Sequence, residues 1–209
     1  MTVGLWPRMW AAGYEVMGSR MQRVEGRHRS RIVEDARGDV LEVGAGTGFN
    51  FPHYRAATRV VAIEPEPAMR RRAERRAKTA SIPIEVRPGD ARRLDFPDAS
   101  FDTVVFSLVL CTIPDAARAL AETKRVLRPG GGLRVYEHVR SLDPALARKQ
   151  DRWAKPWRAF NVGCHPNRDT FAAIAGAGFD TAGLERFDMN EKGVPKVVRP
   201  HLIGTAVKG

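Results

Sequence analysis

The residues best placed to do chemistry stand in one short run, Leu41-Glu42-Val43-Gly44-Ala45-Gly46-Thr47-Gly48. An apolar, strand-like segment runs straight into glycines at alternating positions, and a helix is expected to follow. Gly44 and Gly46 let the backbone turn tightly and meet a ligand without Cβ interference. A dinucleotide fingerprint requires one more glycine three residues after Gly46, and Phe49 stands there instead. Glu42 lies two residues ahead of the first glycine, where an anion would repel a pyrophosphate. The loop therefore suits a nucleoside that carries positive groups and no phosphate, with Glu42 acting on the cationic end through water. Glu64 closes the second apolar run, 20 residues after Gly44, where a carboxylate can accept both ribose hydroxyls. Gly89-Asp90-Ala91 follows the third run, where a carboxylate can accept from a base amino group. Any one of these acids reads equally well as a helix cap or a solvated turn. Three of them at the ends of three successive strands point to one ligand, because ligands bind such sheets at that edge.

A second set of residues belongs to the other side of that edge. His138 closes the fifth apolar run and is placed to act as a base or to orient an acceptor; the plainer alternative is a histidine that bonds a neighbouring loop. Cys111 follows the fourth run and is expected to line a pocket. Cys164 and His165 adjoin in a glycine-containing turn, and one Cys beside one His is a weak metal pattern. With no CxxC and no Cys/His ligand spacing, no metal site is expected. Trp153 and Trp157, four apart, would share one helix face as core or as pocket wall, with Asn161 one turn further on.

The elements that must position these groups alternate along the chain. Val40–Val43, Arg59–Glu64, Ile84–Val86, Phe101–Leu108 and Leu133–Val139 read as strands buried on both faces. Pro67–Lys78 opens with proline and continues in good helix formers, and Asp115–Leu127 has apolar residues at helical spacing before Pro129-Gly130. This alternation predicts an α/β doubly wound, Rossmann-like sheet of seven strands. The last third adds helices over Ala145–Phe160 and Arg168–Ala177 and then two strand-like runs, Thr181–Phe187 and His201–Val207. The linker between those runs is too short for a comfortable crossover helix, so the last strand is expected to be antiparallel.

The segments "LEVGAGTG", "GDARRLDFPDASFDTVV" and "VLRPGGGLRVYEH" resemble the class I methyltransferase motifs shared with quinone C-methyltransferases and bacterial phosphatidylethanolamine N-methyltransferases. "SLVLCTIPD", "EHV", "PWRAFNVGCHPNRDTF" and "RPHLIGTAVK" are similar to the alkyl-thiol S-methyltransferase-like family, over nearly the whole chain from Val40 onward. The resemblance implies S-adenosylmethionine as cofactor, S-adenosylhomocysteine as its product, and a small-molecule acceptor, most simply a thiol. A phospholipid amine headgroup, or a non-catalytic cofactor-binding role with an anionic partner, are the alternatives. It implies Glu42, Gly44, Ala45, Gly46, Thr47, Gly48, Glu64, Pro65, Met69, Gly89, Asp90, Ala91, Ser107 and Leu108 around the cofactor. Trp10, Tyr14, Cys111, His138, Trp157 and Asn161 are expected around the acceptor. The animal members carry a hydrophobic N-terminal anchor, and no such anchor is expected here.

Composition frames these readings. The 209 residues suit one domain, and 43% hydrophobic content with four Trp and nine Phe is enough for a core. The two cysteines imply no disulfide framework, and a reducing, cytoplasmic setting is expected. The net charge of +11 is spread along the chain without a nucleic-acid module. It reads as solvated arginine-rich faces, and no nucleic-acid partner is expected. Residues 1–36 are expected to form a helical lid or cap, with a peripheral contact to an anionic membrane as the alternative. Residues 37–209 would form the methyltransferase domain, with 141–178 as a helical segment on the substrate side.

Overall fold

The computed structural model describes residues 13, 24–161, 163–191 and 193–209. Residues 24–33 are helical and form the described part of α1. The following elements alternate through β1 (Gly38–Val43), β2 (Ala57–Ile63), α2 (Pro67–Ala77), β3 (Ile84–Arg87), β4 (Phe101–Ser107), α3 (Ala116–Val126) and β5 (Leu127–His138). The last third contains α4 (Pro144–Phe160), α5 (Thr170–Gly176), β6 (Phe179–Asp180), β7 (Leu184–Asp188) and β8 (Pro200–Lys208).

One mixed sheet runs in the order β3-β2-β1-β4-β5-β8-β6, and β7 also pairs with β8. Strands β1 to β5 are mutually parallel, and β8 runs antiparallel to β5, with His138 opposite His201. The expected antiparallel last strand is present. The expected sixth strand is divided: β6 and β7 both pair with β8 and are separated by a turn at 181–183. Counted as pieces the sheet has eight strands.

Alternation along each strand sorts the core onto two faces. Leu41, Val43, Val61, Ile63, Val104, Phe106, Leu133, Val135 and Leu202 pack with Leu120 of α3 and Ile174 of α5. Val40, Val60, Ala62, Val105, Tyr136 and Ile203 pack on the other face with Ile32 and Val33 of α1 and Ala73 of α2. A sheet buried on both sides needs these near-continuous apolar runs, which is why the central strands were readable.

Two local expectations are corrected. No α-helix opens directly after the glycine loop; the chain makes turns and one 3-10 turn at Phe51–His53. Pro52 has no N–H to return to Gly48, whereas Phe51 N–H reaches the Gly48 carbonyl at 3.1 Å, closing a tighter turn. The fifth strand starts at Leu127, directly after α3, rather than at Leu133. A register shift against Phe101–Thr103 and a positive φ of 73° at Gly130 absorb the glycine run as an irregularity within the strand.

Candidate functional site

The C-terminal ends of the parallel strands bring the glycine loop, Glu64, the segment 107–111 and His138 to one sheet edge. At the loop, Gly44 and Ala45 N–H groups donate to the Ile63 carbonyl at 2.9 and 3.1 Å, which seats the turn between β1 and β2. Gly44 has φ +70°, and a Cβ there would lie 2.2 Å from Val109 Cγ2. The glycine is therefore required twice, by its backbone angle and by the close approach of the segment after β4.

Glu42 does not reach the open face. Its carboxylate is buried and accepts from Asn50 Nδ2 at 3.0 Å and Tyr54 OH at 2.8 Å. It holds the turn from beneath, and burial pushes its pKa up to about 7 against the pull of Tyr54, Asn50 and Arg29. The expectation that it acts on the ligand's cationic end through water gives way to this supporting position. Arg29 of α1, buried, continues the network by donating to Asn50 Oδ1 at 3.2 Å, Ser107 Oγ at 3.0 Å and Glu25 at 2.7 Å. Arg29 was missed in the sequence, where it sits in a basic run that reads as a solvated face.

Glu64 ends β2 and is buried, with Oε2 accepting from Gly46 N–H at 2.8 Å and Oε1 from Glu66 N–H at 2.9 Å. Burial raises its pKa, and the two backbone N–H groups oppose the rise. Each oxygen takes one backbone donor, so each retains acceptor capacity toward the open edge. Met69 is buried in α2, whereas Pro65 is exposed. Asp90 is half-exposed and closed into a pair with Arg92 at 2.7 Å, next to buried Ala91. Thr47 is fully buried and accepts from Arg76. Leu108 adopts φ +58°, rare for a side-chain-bearing residue, with its N–H on the Tyr136 carbonyl at 2.7 Å. That angle turns the chain out of β4 and over the glycine loop.

The acceptor half is organised around a second buried acid. Glu137 takes the N–H groups of Val109 and Leu110 at 2.7 Å each and of Cys111 at 3.4 Å. The segment 163–168 closes over this turn: His165 N–H donates to the Cys111 carbonyl at 2.8 Å, and Arg168 donates to Leu110 O and, at 2.7 Å, to Ile113 O. These contacts bring Cys164 Sγ to 3.5 Å from Cys111 Sγ and 3.7 Å from His138 Nδ1. His165, the sequence neighbour of Cys164, instead faces the Cys111 carbonyl at 3.0 Å. Cys111 is held as a thiol by its contact with Cys164 and by burial. Cys164 is pushed down by the Cys111 contact and by His138, against burial. Burial works against a charge on His138, and Cys164, Glu137 and Glu25 together outweigh it and raise the pKa.

Trp157 is half-buried against the second core face, but Trp153 is 53% exposed, so the two tryptophans do not share an environment. Asn161 caps α4, donating from Nδ2 to the Trp157 carbonyl at 3.2 Å, and turns the chain toward Cys164. Trp10 and Tyr14 lie outside the described residues. Sequence reasoning also missed an aromatic stack beside His138. His201 stacks on Tyr136 and Phe187 and meets the His138 ring edge-on at 5.3 Å, and His28 stacks on Phe187 at 4.8 Å. Only the β5–β8 register could have disclosed it.

The edge thus has a glycine cradle, a buried acceptor carboxylate with spare lone pairs, and a sulfur–imidazole cluster across from them. Residues 41–135 match a family described as a methyltransferase domain. The chain is 35% identical over 174 residues to the human thiol S-methyltransferase TMT1B, covering 81% of this chain and 70% of that protein. The chain belongs to the S-adenosylmethionine-dependent methyltransferases. It is also 33% identical over 150 residues to a phosphatidylethanolamine N-methyltransferase of Cereibacter sphaeroides, covering 68% of this chain and 73% of that one. A Haloferax volcanii methyltransferase, solved with its Trm112 activator, superimposes with a TM-score of 0.74 at 18% identity over 99% of both chains and shows the same fold. As a methyltransferase this enzyme uses S-adenosylmethionine and requires a methyl acceptor. Among the described residues no helix is long and apolar enough to cross a membrane.

Proposed function

We propose that this methyltransferase transfers the methyl group to the sulfur of a small thiol. The observation that carries the reading is the human thiol S-methyltransferase relative at 35% identity, whose similarity covers 81% of this chain. The geometry supports it: the acceptor half gathers two buried thiols and a part-buried imidazole, surroundings compatible with a soft sulfur nucleophile.

When bound, the cofactor supplies a sulfonium methyl open to in-line displacement. The chain's own residues do the rest. Gly44, Ala45, Gly46, Thr47 and Gly48 admit the amino-acid portion against bare backbone, with Glu42 holding the turn from below. Glu64 accepts the ribose hydroxyls with its remaining lone pairs. Gly89, Asp90 and Ala91 meet the base, Asp90 exchanging Arg92 for the amino group. Pro65, Met69, Ser107 and Leu108 line the nucleoside. His138 meets the acceptor and turns the thiol into the thiolate, which is the nucleophile. Cys111, Trp157 and Asn161 bound the acceptor pocket. Alignment of the two reactants is the main source of rate, worth roughly 7–11 kcal/mol in favourable intramolecular cases.

In the same reading, the helical segment 141–178 forms the substrate side of the 37–209 domain; the cap expected of residues 1–36 lies mostly outside the described residues. The enzyme works in the cytoplasm on an acceptor taken from solution, so anionic vesicles leave it in the supernatant; co-sedimentation would restore the peripheral reading. The deciding experiment is a panel of thiols, phenols, amines and phosphatidylethanolamine, followed by release of S-adenosylhomocysteine. Turnover confined to thiols is expected. Methylation of the lipid amine with no thiol turnover would reject the proposal.

A further inference from the structure

Cys111, His138 and Cys164 come from three separate elements: the turn after β4, the end of β5 and the loop after α4. Their ligand atoms nevertheless lie within 4.8 Å of one another. The two sulfurs are 3.5 Å apart and Cys164 Sγ is 3.7 Å from His138 Nδ1. A tetrahedral zinc ion with Zn–S near 2.3 Å and Zn–N near 2.0–2.1 Å sets ligand atoms about 3.8 Å (S to S) and about 3.6 Å (S to N) apart. Two of the three separations therefore match a tetrahedral site before any ion is placed in it, and the third, between Cys111 and His138, lies within 4.8 Å and closes as an ion draws the ligands in. We propose that Cys111, His138 and Cys164 bind one zinc-class divalent cation, and that its open fourth position takes the acceptor thiol as a thiolate. This rests on the thiol reading above and gives it a mechanism.

Four features favour the site. The loop that carries Cys111 is fixed by three N–H bonds to Glu137, so that ligand is preorganised. The loop that carries Cys164 is fixed by Arg168 and by His165 N–H on the Cys111 carbonyl. The carboxylate of Glu137 adds negative potential next to the cluster. Trp157 Nε1–H, near Cys164, is buried without a hydrogen-bond partner and so is available to donate to the sulfur of a metal-bound Cys164, the kind of outer-shell contact that steadies a ligand. Two thiolates and one imidazole are the ligand set of a catalytic zinc with a vacant position, whereas structural zinc takes four protein ligands. His138 alone of the three retains solvent access, so the exogenous ligand arrives on its side.

The chemistry balances without an added oxidant. Binding the dication releases the two cysteine protons, and His138 coordinates as the neutral imidazole. With the cation bound, coordination replaces the base role given to His138 above: the acceptor thiol coordinates with loss of its proton to solvent, and His138 serves as a ligand. Its sulfur then forms the new S–C bond as the sulfonium S–C bond breaks, and that electron pair stays on the departing S-adenosylhomocysteine. The product is a neutral thioether, a weaker ligand than the thiolate, and it leaves.

The test uses the full chain, reduced and stripped of metal, titrated with Zn2+ and separately with Co2+. One equivalent of each is expected, with thiolate-to-cobalt charge-transfer absorption and tetrahedral visible bands. Cys111→Ser, Cys164→Ser and His138→Ala should each weaken Zn2+ binding by more than the roughly 10–100-fold that outer-shell changes cost. S-adenosylmethionine binding should be retained, which shows that each variant is folded. Absence of metal binding by protein with two titratable thiols would overturn the site. So would isolation of the native protein with both sulfurs in a reducible disulfide, which would make the cluster a redox pair. Metal binding with thiol turnover unchanged on stripping would overturn the acceptor role. Stoichiometric metal in an enzyme that methylates only amines would leave the site intact and reject the thiol reading instead.

Discussion

The two halves of the active edge are built by opposite means. The cofactor half is local: Gly44, Gly46, Glu64 and Asp90 stand just beyond or at the end of their own strands, and the bond from Gly46 N–H to Glu64 spans 18 residues. The acceptor half is assembled over distance: Cys164 meets Cys111 across 53 residues and His138 across 26. A local motif can be carried by short sequence signatures, because strand end and loop chemistry coincide. A distant cluster depends on three loops holding their places at once, so it is the half where a supporting residue far from the chemistry should matter most.

The largest effect expected from this contrast is at His138. His138→Ala should lower kcat for a thiol by roughly 100-fold or more, within the range lost with a positioned proton-handling group, while calorimetry shows cofactor affinity within a few-fold of the native value. A matching loss of cofactor affinity would mean that the two halves are one cooperative unit. The mirror experiment is Gly44→Ala. Its Cβ would meet Val109 at 2.2 Å on a backbone with φ +70°. Left-handed strain of about 1–2 kcal/mol and overpacking of about 1–3 kcal/mol should appear as lower thermal stability together with lost cofactor binding. Because the clash falls on the segment that leads to Cys111, this variant should also disturb the acceptor half, the one coupling the contrast allows.

Glu42 sharpens the cofactor half through pH. Burial raises its carboxyl from 4.5 in the unfolded chain to about 7 in the folded one. The folded state therefore holds the proton longer, and its contribution to stability is complete below pH 4.5 and is lost as pH rises to 7. The swing is on the order of 3 kcal/mol from 1.36 kcal/mol per pKa unit. Glu42→Gln keeps an acceptor for Asn50 and a donor for Tyr54 and has no charge to bury. Urea unfolding of both proteins between pH 4.5 and 8 should show the difference in stability growing up to pH 7 and level above it; a pH-independent difference would show that Glu42 is not the titrating group.

How much was legible follows the same division. The parallel strands, the antiparallel last strand and the glycine turn were readable because each depends on patterns within about ten residues. No α-helix follows the glycine loop because Pro52 cannot donate to Gly48, and that proline is itself a local sequence signal. The division of the sixth strand was not readable, since it depends on pairing with β8. Glu42 was found but misplaced: an acid near glycines looks the same whether it faces the ligand or, as here, is sealed under Tyr54 and Asn50. The Cys111–His138–Cys164 cluster left no local trace, because metal-ligand spacing is recognisable only when ligands share a turn or a helix. His165 was the conspicuous neighbour of Cys164, yet the chain turns it away to the Cys111 carbonyl.

The smallest expected effect bears most directly on the long-range half. Arg168 touches none of the three clustered side chains, but it donates to the carbonyls of Leu110 and Ile113 and so clamps the turn that carries Cys111. Arg168→Ala leaves two part-buried carbonyls without that donor, costing about 1–3 kcal/mol of stability. If distance assembly is what makes the acceptor half fragile, the loss should be uneven. KM for the thiol should rise several-fold, cofactor affinity should hold, and the segment 108–113 should exchange its amide hydrogens faster than the glycine loop does. Arg168→Lys retains the charge but not the planar fork, so it should recover one carbonyl contact and only part of the KM. Equal acceleration of exchange in both loops would show that the clamp stabilises the whole edge, and the contrast between a local half and an assembled half would fail at its weakest joint.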